Sequence, residues 1–346
     1  MVTFPFNTTD FTFTHKLAPI VFTSQLDSYF DATITIKYFD FYDDTEKTII
    51  IENKIPLFNG TAKWFVGDII ERNIPKLKSG FQSGFQQNTT KASFLIEEKL
   101  LADDTVDNTT TLNDVLFVPG PSPQKIENNV ALLHSNAKIC RAFNDSRILV
   151  SFLLSNGNHT ITVYQNDTAI VTENITATAS KNSYTFLFDV SNYTVKSSDI
   201  IKFQVNDTEI FKEFVIYPPT PNQNNIWYAN AYNVMSSISF SGEFNFPNEF
   251  DKLTHTYRST ENQIDEIEEI VEVLEYNSLK INTGFILQNQ IGLITELMKS
   301  NSVIAENIIG LSLEMTPQNK KNVGFDSTNF LYEYDLEFRI NKSADA

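Results

Sequence analysis

Two short proline-rich segments divide this chain and limit the folds that it can adopt. The first, Phe117-Val-Pro-Gly-Pro-Ser-Pro123, carries three closely spaced prolines, and the second, Pro218-Pro-Thr-Pro221, is followed by an asparagine-rich run. Proline lacks the backbone N–H that a sheet interior requires, and it favours an extended, semi-rigid connector. Because a unit of roughly ninety residues lies between the two segments, we predict a chain of three modules.

The domain boundaries follow from these segments. We assign 1–116 to an N-terminal β-rich domain, 117–126 to a proline-rich linker, 127–216 to a middle domain, 217–225 to a second linker and 226–346 to a C-terminal domain. With 346 residues in total, each domain is long enough to bury a core of its own.

Alternating apolar and polar residues predict strands in the N-terminal domain. Asp31–Phe41 and Lys47–Glu52 alternate with period two on either side of a turn, which is typical of a β-hairpin. Further along, Gly67–Arg72 is interpreted as a single helical turn with Asp68 as its N-cap. We therefore expect a β domain with one short helix.

Four acidic residues near this hairpin turn raise the question of a calcium site. They are Asp40, Asp43, Asp44 and Glu46. The group lacks the spacing and the glycine of a recognised calcium loop. We therefore interpret it as a solvated hairpin tip and predict no bound metal.

The middle domain repeats one turn chemistry at two places. Asn166-Asp-Thr168 and Asn206-Asp-Thr208 each lie between runs of alternating β-branched and aromatic residues, and Arg147–Leu154 leads into a turn that contains Asn-Gly. Two hairpins with the same tip in some ninety residues fit a β-sandwich of the immunoglobulin or fibronectin type III kind. Sandwiches of this kind serve many roles, so the architecture names no function.

The C-terminal domain combines strand and helix signals. Met235–Phe246 alternates strongly, Ile281–Phe285 contains a turn-forming Asn-Thr-Gly, and Leu287–Ser300 keeps a helical spacing of apolar residues. In 263–276 the apolar spacing suits a helix, while the β-branched residues equally suit a strand, and both remain open. The whole chain is predicted to be mainly β, with β-sandwich modules followed by an α+β unit.

Composition excludes several classes of function. A formal net charge of -17 repels phosphate backbones, so we expect no nucleic-acid binding. The single cysteine, Cys140, cannot form an intramolecular disulfide. The N-terminus carries no signal-peptide pattern and no apolar window is long enough to span a membrane, so we expect neither.

No motif in the sequence identifies a reaction. The four histidines are far apart, no Gly-x-Ser-x-Gly elbow occurs, and no glycine loop of the phosphate-binding kind is present. Paired carboxylates, as in a glycan-degrading enzyme, would converge only in space and so stay open. We predict that the chain is not an enzyme and needs no cofactor.

Aromatic residues near the N-terminus and beside the linkers are the positive signal. Aromatic side chains of this kind often anchor subunit contacts. Packing between modules of one chain would account for them equally well. The candidate assembly contacts are Phe4, Phe6, Phe11, Phe13, Trp227 and Tyr228.

Both ends of the chain carry further motifs, which are Leu279–Ile286, the helix through Leu293–Ser300 and Asn329–Phe338, together with Leu17–Phe22 and Gly67–Ile70 near the start. In these motifs the chain resembles virion structural proteins of tailed bacteriophages that infect Bacteroidetes-like hosts. The resemblance covers the two end segments and hardly touches the middle one. It implies a place in the tail, the tail tip or baseplate, or the collar, and includes no catalytic residue.

Two functional hypotheses of different classes follow. A virion subunit would assemble in the cytoplasm of the host bacterium, with copies of itself and with neighbouring virion proteins, through apolar and strand-edge contacts. An adhesive or carbohydrate-binding surface protein would instead stack Trp64, Trp227 or tyrosines on sugar rings, and a host surface glycan is a further partner compatible with the first hypothesis.

Overall fold

The chain is mainly β, with several sandwich-like modules and a short helix near the C-terminus. In the computed structural model the described residues are 1–40, 45–74, 83–86, 88–134, 139–178, 182–258, 266–308, 310–318 and 331–343. Two residues of the acidic group, Asp43 and Asp44, lie outside them. Asp40 forms an ion pair with Lys47 at 2.6 Å, so this carboxylate is used within the hairpin.

The N-terminal module is a sandwich of two sheets, one antiparallel and one mixed. The elements of this part of the chain are β1 (Val2–Thr3), β2 (Thr12–Phe13), β3 (Ile20–Thr23), β4 (Ser28–Asp40), β5 (Thr45–Pro56), β6 (Thr61–Trp64), α1 (Gly67–Asn73), β7 (Gly84–Gln86), β8 (Thr90–Leu100) and β9 (Val106–Val118). One sheet has the order β1-β3-β6 and the other β2-β9-β8-β4-β5, in which β2 and β9 are parallel. Phe22, Phe30 and Phe94 lie between the sheets and are almost fully buried.

Helix α1 forms where it is predicted, but its N-cap is different. The cap residue is Val66, without a side-chain hydrogen bond, and Asp68 lies in the first turn. The prediction of Asp68 as cap is wrong because the helix begins earlier, at Gly67. A Cβ at Gly67 would lie 2.4 Å from the carbonyl oxygen of Thr14, so glycine is needed for this close packing.

The middle module has the two-sheet arrangement of an immunoglobulin-like sandwich. Its strands are β10 (Ile126–Glu127), β11 (Val130–Leu132), β12 (Ile139–Ala142), β13 (Arg147–Leu153), β14 (Gly157–Gln165), β15 (Thr168–Ala177), β16 (Ser183–Asp189), β17 (Ile200–Val205) and β18 (Phe211–Ile216). The sheet orders are β10-β11-β13-β16-β7 and β12-β18-β17-β14-β15. Strand β7, which precedes the first proline segment, thus completes a sheet of the middle module.

The two predicted hairpin tips adopt the left-handed backbone that their residues favour. At one tip φ is 49° for Asn166 and 65° for Asp167, and at the other it is 51° for Asn206 and 52° for Asp207. Positive φ at both central residues is the type I′ geometry that joins twisted strands. The Asn-Gly turn before β14 instead connects the two sheets, since β13 and β14 belong to different ones.

The C-terminal module is built on one large sheet with a helix. Its elements are β19 (Asn224–Ala229), β20 (Met235–Phe240), β21 (Phe244–Asn245), β22 (Asn248–Arg258), β23 (Glu266–Asn282), β24 (Ile286–Leu287), α2 (Ile291–Lys299), β25 (Val303–Ile308), β26 (Leu311–Pro317), β27 (Leu331–Tyr332) and β28 (Asp335–Ser343). The sheet order is β20-β19-β25-β26-β28-β23-β21, and β22 pairs with β23. The ambiguous segment is therefore strand from 266 onward, while 263–265 lie outside the described residues.

The proline segments connect modules without separating them. None of Pro119, Pro121 and Pro123 lies in a strand, as predicted, although β9 continues to Val118 and β19 begins at Asn224, inside the assigned linkers. A Cβ at Gly120 would lie 2.6 Å from the carbonyl oxygen of Ala231. The first segment is thus packed directly against the C-terminal module.

Candidate functional site: module junctions and free strand edges

The first pair of predicted contact residues packs inside the N-terminal module. Phe4 and Phe6 are half-buried against its core. The ring of Phe6 lies 5.2 Å from those of both Phe94 and Phe117, and the rings of Phe4 and Phe6 are 5.7 Å apart. These separations are typical of favourable aromatic pairs. The N-terminal segment therefore covers the core of its own module.

The second pair lies where all three modules meet. Phe13 is buried in an apolar cluster with Leu133 and Leu153 of the middle module and Tyr232 of the C-terminal module, and Phe11 is half-buried against it. The rings of Phe13 and Tyr232 are 6.3 Å apart and edge-to-face. This cluster, the triple junction, joins the modules through apolar contact.

The third pair belongs to the junction between the middle and C-terminal modules. Trp227 is buried, and its indole N–H donates to the carbonyl oxygen of Arg147 at 3.0 Å. Tyr228 is fully buried, and burial raises its pKa well above the ordinary value. Their burial favours the second interpretation of these aromatics, packing between modules of one chain. A role in subunit assembly stays a prediction for all six residues.

A buried arginine joins the middle module to the turn after β23. The guanidinium of Arg141, on β12, donates to the carbonyl oxygens of Ser239, Thr283 and Phe285 at 3.0, 2.8 and 3.1 Å, and to the hydroxyl of Ser241 at 3.2 Å. Burial lowers its pKa to about 10. We call these four acceptors, all in the C-terminal module, the Arg141 socket.

The socket is shaped by two glycines in close contact with the opposite chain segment. Gly284 has φ 62°, and a Cβ there would lie 2.3 Å from the hydroxyl of Ser241. At Gly242 a Cβ would meet Asn282 at 2.3 Å from its side-chain oxygen and 2.5 Å from its carbonyl oxygen. Asn282 also accepts a hydrogen bond from the N–H of Gly284 at 2.7 Å, which holds the turn closed. Only glycine permits this approach of two backbones.

Serine hydroxyls also connect β13 of the middle module to β20 of the C-terminal module. Strand β20 is buried at every position and lies beside β13. The N–H of Leu149 donates to the hydroxyl of Ser237 at 2.9 Å, and the hydroxyl of Ser151 donates to the carbonyl oxygen of Met235 at 3.0 Å. Side chains thus satisfy backbone groups that a continuous sheet would otherwise pair.

A second arginine, Arg147, lies at the junction between the middle and C-terminal modules. Arg147 forms an ion pair with Glu306, and its guanidinium lies 5.0 Å from the ring centroid of Trp227. Asn225 donates to Glu306 at 3.1 Å. Burial raises the pKa of Glu306, and the hydrogen bond from Asn225 and the nearby Arg147 oppose that shift. Both arginines therefore connect the middle module to the C-terminal one.

A cleft of about 400 Å³ opens beside the triple junction. It is lined by residues of the N-terminal module, the first proline segment and the C-terminal module, including His15, Glu71, Glu296 and Lys299. Glu296 accepts the N–H of Ala231 at 2.8 Å, and burial raises the pKa of this carboxyl group above its ordinary value. The cleft therefore contains a carboxyl group that binds its proton more tightly in the folded chain.

We expect Glu296→Gln to weaken the pH dependence of stability. Because the pKa is raised in the folded chain, the native state holds the proton more tightly, and wild-type stability should fall as pH rises from about 4.5 through the raised native pKa. Glutamine keeps an acceptor for Ala231 and carries no charge. Denaturant unfolding between pH 4.5 and 8 should show a smaller fall for the variant. If the free energy of unfolding falls equally with pH in the wild type and the variant, the raised pKa does not belong to Glu296. Glu52→Gln, on the exposed face of β5, is the control.

Long strands end the sheets at the surface. Among the described strands, β5 pairs only with β4, and β15 pairs only with β14. Ile50 on β5 is 63% exposed. Free edges present unpaired N–H and C=O groups that another chain can pair. These edges, which sequence reasoning did not single out, are the surfaces best suited to strand-edge assembly.

The described residues offer no metal site and no membrane-spanning helix. In the described part of the chain, no group of three or more histidine, cysteine or acidic residues is placed to hold a metal ion. No helix there is both long enough and apolar enough to cross a membrane. Cys140 is buried and unpaired with another cysteine, as the sequence predicted.

Comparisons with known proteins name no family for this chain. No protein-family model matches it, and no curated protein matches it. Among solved structures, squid arrestin matches with 8% identity, covering 61% of this chain and 92% of that chain, at a TM-score of 0.18. A TM-score of that size carries no argument about fold or function.

Proposed function

We propose that this chain is a structural subunit of a tailed bacteriophage virion, in the tail, the tail tip or baseplate, or the collar. It acts by protein–protein assembly and not by catalysis. Its partners are copies of itself and neighbouring virion proteins, and it assembles in the cytoplasm of the host bacterium. The resemblance of both ends of the sequence to such proteins supports the virion part of this proposal.

One observation carries the assembly part. The modules are joined by buried contacts, while long edges remain unpaired among the described strands. A subunit in a symmetric particle must keep its own shape and offer edges or apolar patches to its neighbours. Arg141 and the triple junction serve the first need, and β5 and β15 serve the second.

The adhesive alternative requires exposed aromatic side chains, and both tryptophans are buried. Trp64 is 8% exposed and Trp227 is 6% exposed, so neither can stack on a sugar ring. Stacking would then fall to tyrosines such as Tyr217, which is 41% exposed. A host surface glycan stays part of the proposal only as a further partner of the assembled particle.

Solution mass tests the assembly proposal. We expect light scattering over a wide concentration range to show species larger than the 39.4 kDa monomer, and negative stain to show closed or extended regular particles. A chain that stays monomeric throughout and binds polysaccharides on an array would support the adhesive alternative instead.

A further inference from the structure

Among the described strands, none pairs with the outer edge of β5. Ile34 and Ile36 on β4 are opposite Ile51 and Ile49 on β5, on the same inner face of the sheet. The two β4 side chains are fully buried, whereas those of Ile49 and Ile51 are only half-buried. The difference arises because β4 has a strand on both sides and β5 has a described strand on one side only.

The side chains of β5 alternate between two faces. The exposed face carries Glu46, Thr48, Ile50, Glu52 and Lys54. The other face carries the half-buried Lys47, Ile49, Ile51 and Asn53. A strand that paired with this edge would bring its own side chains next to both sets, because directly opposed residues share a face.

We propose that β5 pairs antiparallel with β5 of a second copy of this chain, about a twofold axis at Ile50. A twofold axis perpendicular to the sheet keeps each face on its own side, so the register must centre on a residue and not between two residues. Centred on Ile50, the strand is complementary to itself. Glu46 is then opposite Lys54, Ile49 is opposite Ile51, and Ile50 is opposite its own copy.

Neighbouring registers are much poorer. Centring on Ile49 would place Glu46 opposite Glu52, which brings like charges together. Centring on Ile51 would place the exposed Ile50 opposite Glu52. Opposed like charges destabilise a strand pair, whereas opposite charges and paired β-branched side chains stabilise it. The register at Ile50 alone combines two ion pairs with three apolar contacts.

Another long edge, that of β15, does not share this property. Strand β15 also ends its sheet, but its only charged residue is Glu173, which accepts a hydrogen bond from the hydroxyl of Tyr184. It offers no opposed charges to a second copy. Pairing through β5 would join two five-stranded sheets into one continuous sheet of ten strands. This inference rests on the proposed assembly function and names one of its contacts.

Charge-reversal variants, measured alone and as a mixture, test the pairing of β5 with β5 of a second copy. In sedimentation velocity we expect the wild-type chain to form a dimer with increasing concentration. Glu46→Lys and Lys54→Glu should each raise the dimer dissociation constant about tenfold or more, because each places like charges opposite one another. The double variant should associate as the wild type does, with the pairs reversed. An equimolar mixture of the two single variants should also associate, because both pairs are complementary in the mixed dimer.

The controls make the result specific. Lys63→Glu, an exposed residue on the edge strand β6, should leave association unchanged. Circular dichroism checks that each variant is folded. A wild type that stays monomeric, single variants that associate as the wild type does, or a mixture that fails to associate would each overturn the pairing. Recovery of the chain from virus particles is a separate readout, so the virion role can stand when this pairing fails.

Discussion

Replacing Arg141 with alanine is expected to lower the free energy of unfolding more than any other single substitution at the module junctions. The substitution leaves three carbonyl oxygens and one hydroxyl without their donor at a position that is only 8% exposed. An unsatisfied buried acceptor costs about 1–3 kcal/mol. Since water can enter part of the vacated space, we expect a total loss of about 3–5 kcal/mol in the free energy of unfolding.

Denaturant unfolding followed by circular dichroism measures this loss. Arg72→Ala is the matched control, because Arg72 lies on the exposed side of α1 and should change stability by less than about 0.5 kcal/mol. Arg141→Lys should recover only part of the stability, since an ammonium group cannot reach four acceptors arranged around a planar guanidinium. Equal effects of Arg141→Ala and Arg72→Ala would show that the socket contributes nothing to folding.

Gly242→Ala is expected to have the second largest effect. The new Cβ would lie 2.3–2.8 Å from three atoms of Asn282, two of them backbone atoms that cannot rotate away. Either the turn at 282–284 shifts or the segment 241–243 moves away from the end of β23, and both changes disturb the Arg141 socket. Overpacking of this kind costs about 1–3 kcal/mol, and we expect the upper end of that range.

A second glycine provides the control. Gly292 lies on the exposed side of α2, and a Cβ there would meet no atom within 4 Å. Gly292→Ala should stabilise the chain by about 0.5–1 kcal/mol, because alanine is the better helix former. If thermal unfolding shows that Gly242→Ala leaves Tm unchanged or raises it as Gly292→Ala does, the close packing assigned to Gly242 is wrong.

The parts of the fold that local chemistry determines could be predicted from the sequence. The hairpin tips Asn166-Asp167 and Asn206-Asp207 are examples, because asparagine and aspartate tolerate the positive φ that the turn needs. The helix near the C-terminus is another, because its apolar residues recur with helical spacing. In 266–276, by contrast, helical spacing and β-branched residues competed, and strand pairing with β22 decided the outcome.

The junctions could not be predicted, because their partners are distant in sequence. Arg141 contacts carbonyl groups that lie 98 to 144 positions later in the chain, and backbone acceptors leave no residue-type signal. Its position between Cys140 and Ala142 in an apolar strand was the available hint, since a lone arginine there needs several acceptors. The aromatics Phe13, Trp227 and Tyr228 were recognised, but the modules that cover them were visible only in three dimensions.

The chain therefore uses two kinds of contact surface. Contacts between modules employ Arg141, the serines of β20 and the triple junction, and they give the subunit a fixed shape. Contacts between copies are assigned to the edge of β5, which those internal contacts leave free. This division fits the proposed role of the chain as a building block of a symmetric particle.

The composition of purified virus particles tests the central claim most directly. Particles released by a host that carries this gene would be purified on a density gradient and analysed by quantitative mass spectrometry, with gold-labelled antibodies to locate the chain by electron microscopy. We predict peptides of the chain in a fixed copy number per particle and labelling at the tail, its tip or baseplate, or the collar. Intact, infectious particles that contain none of these peptides would contradict the account.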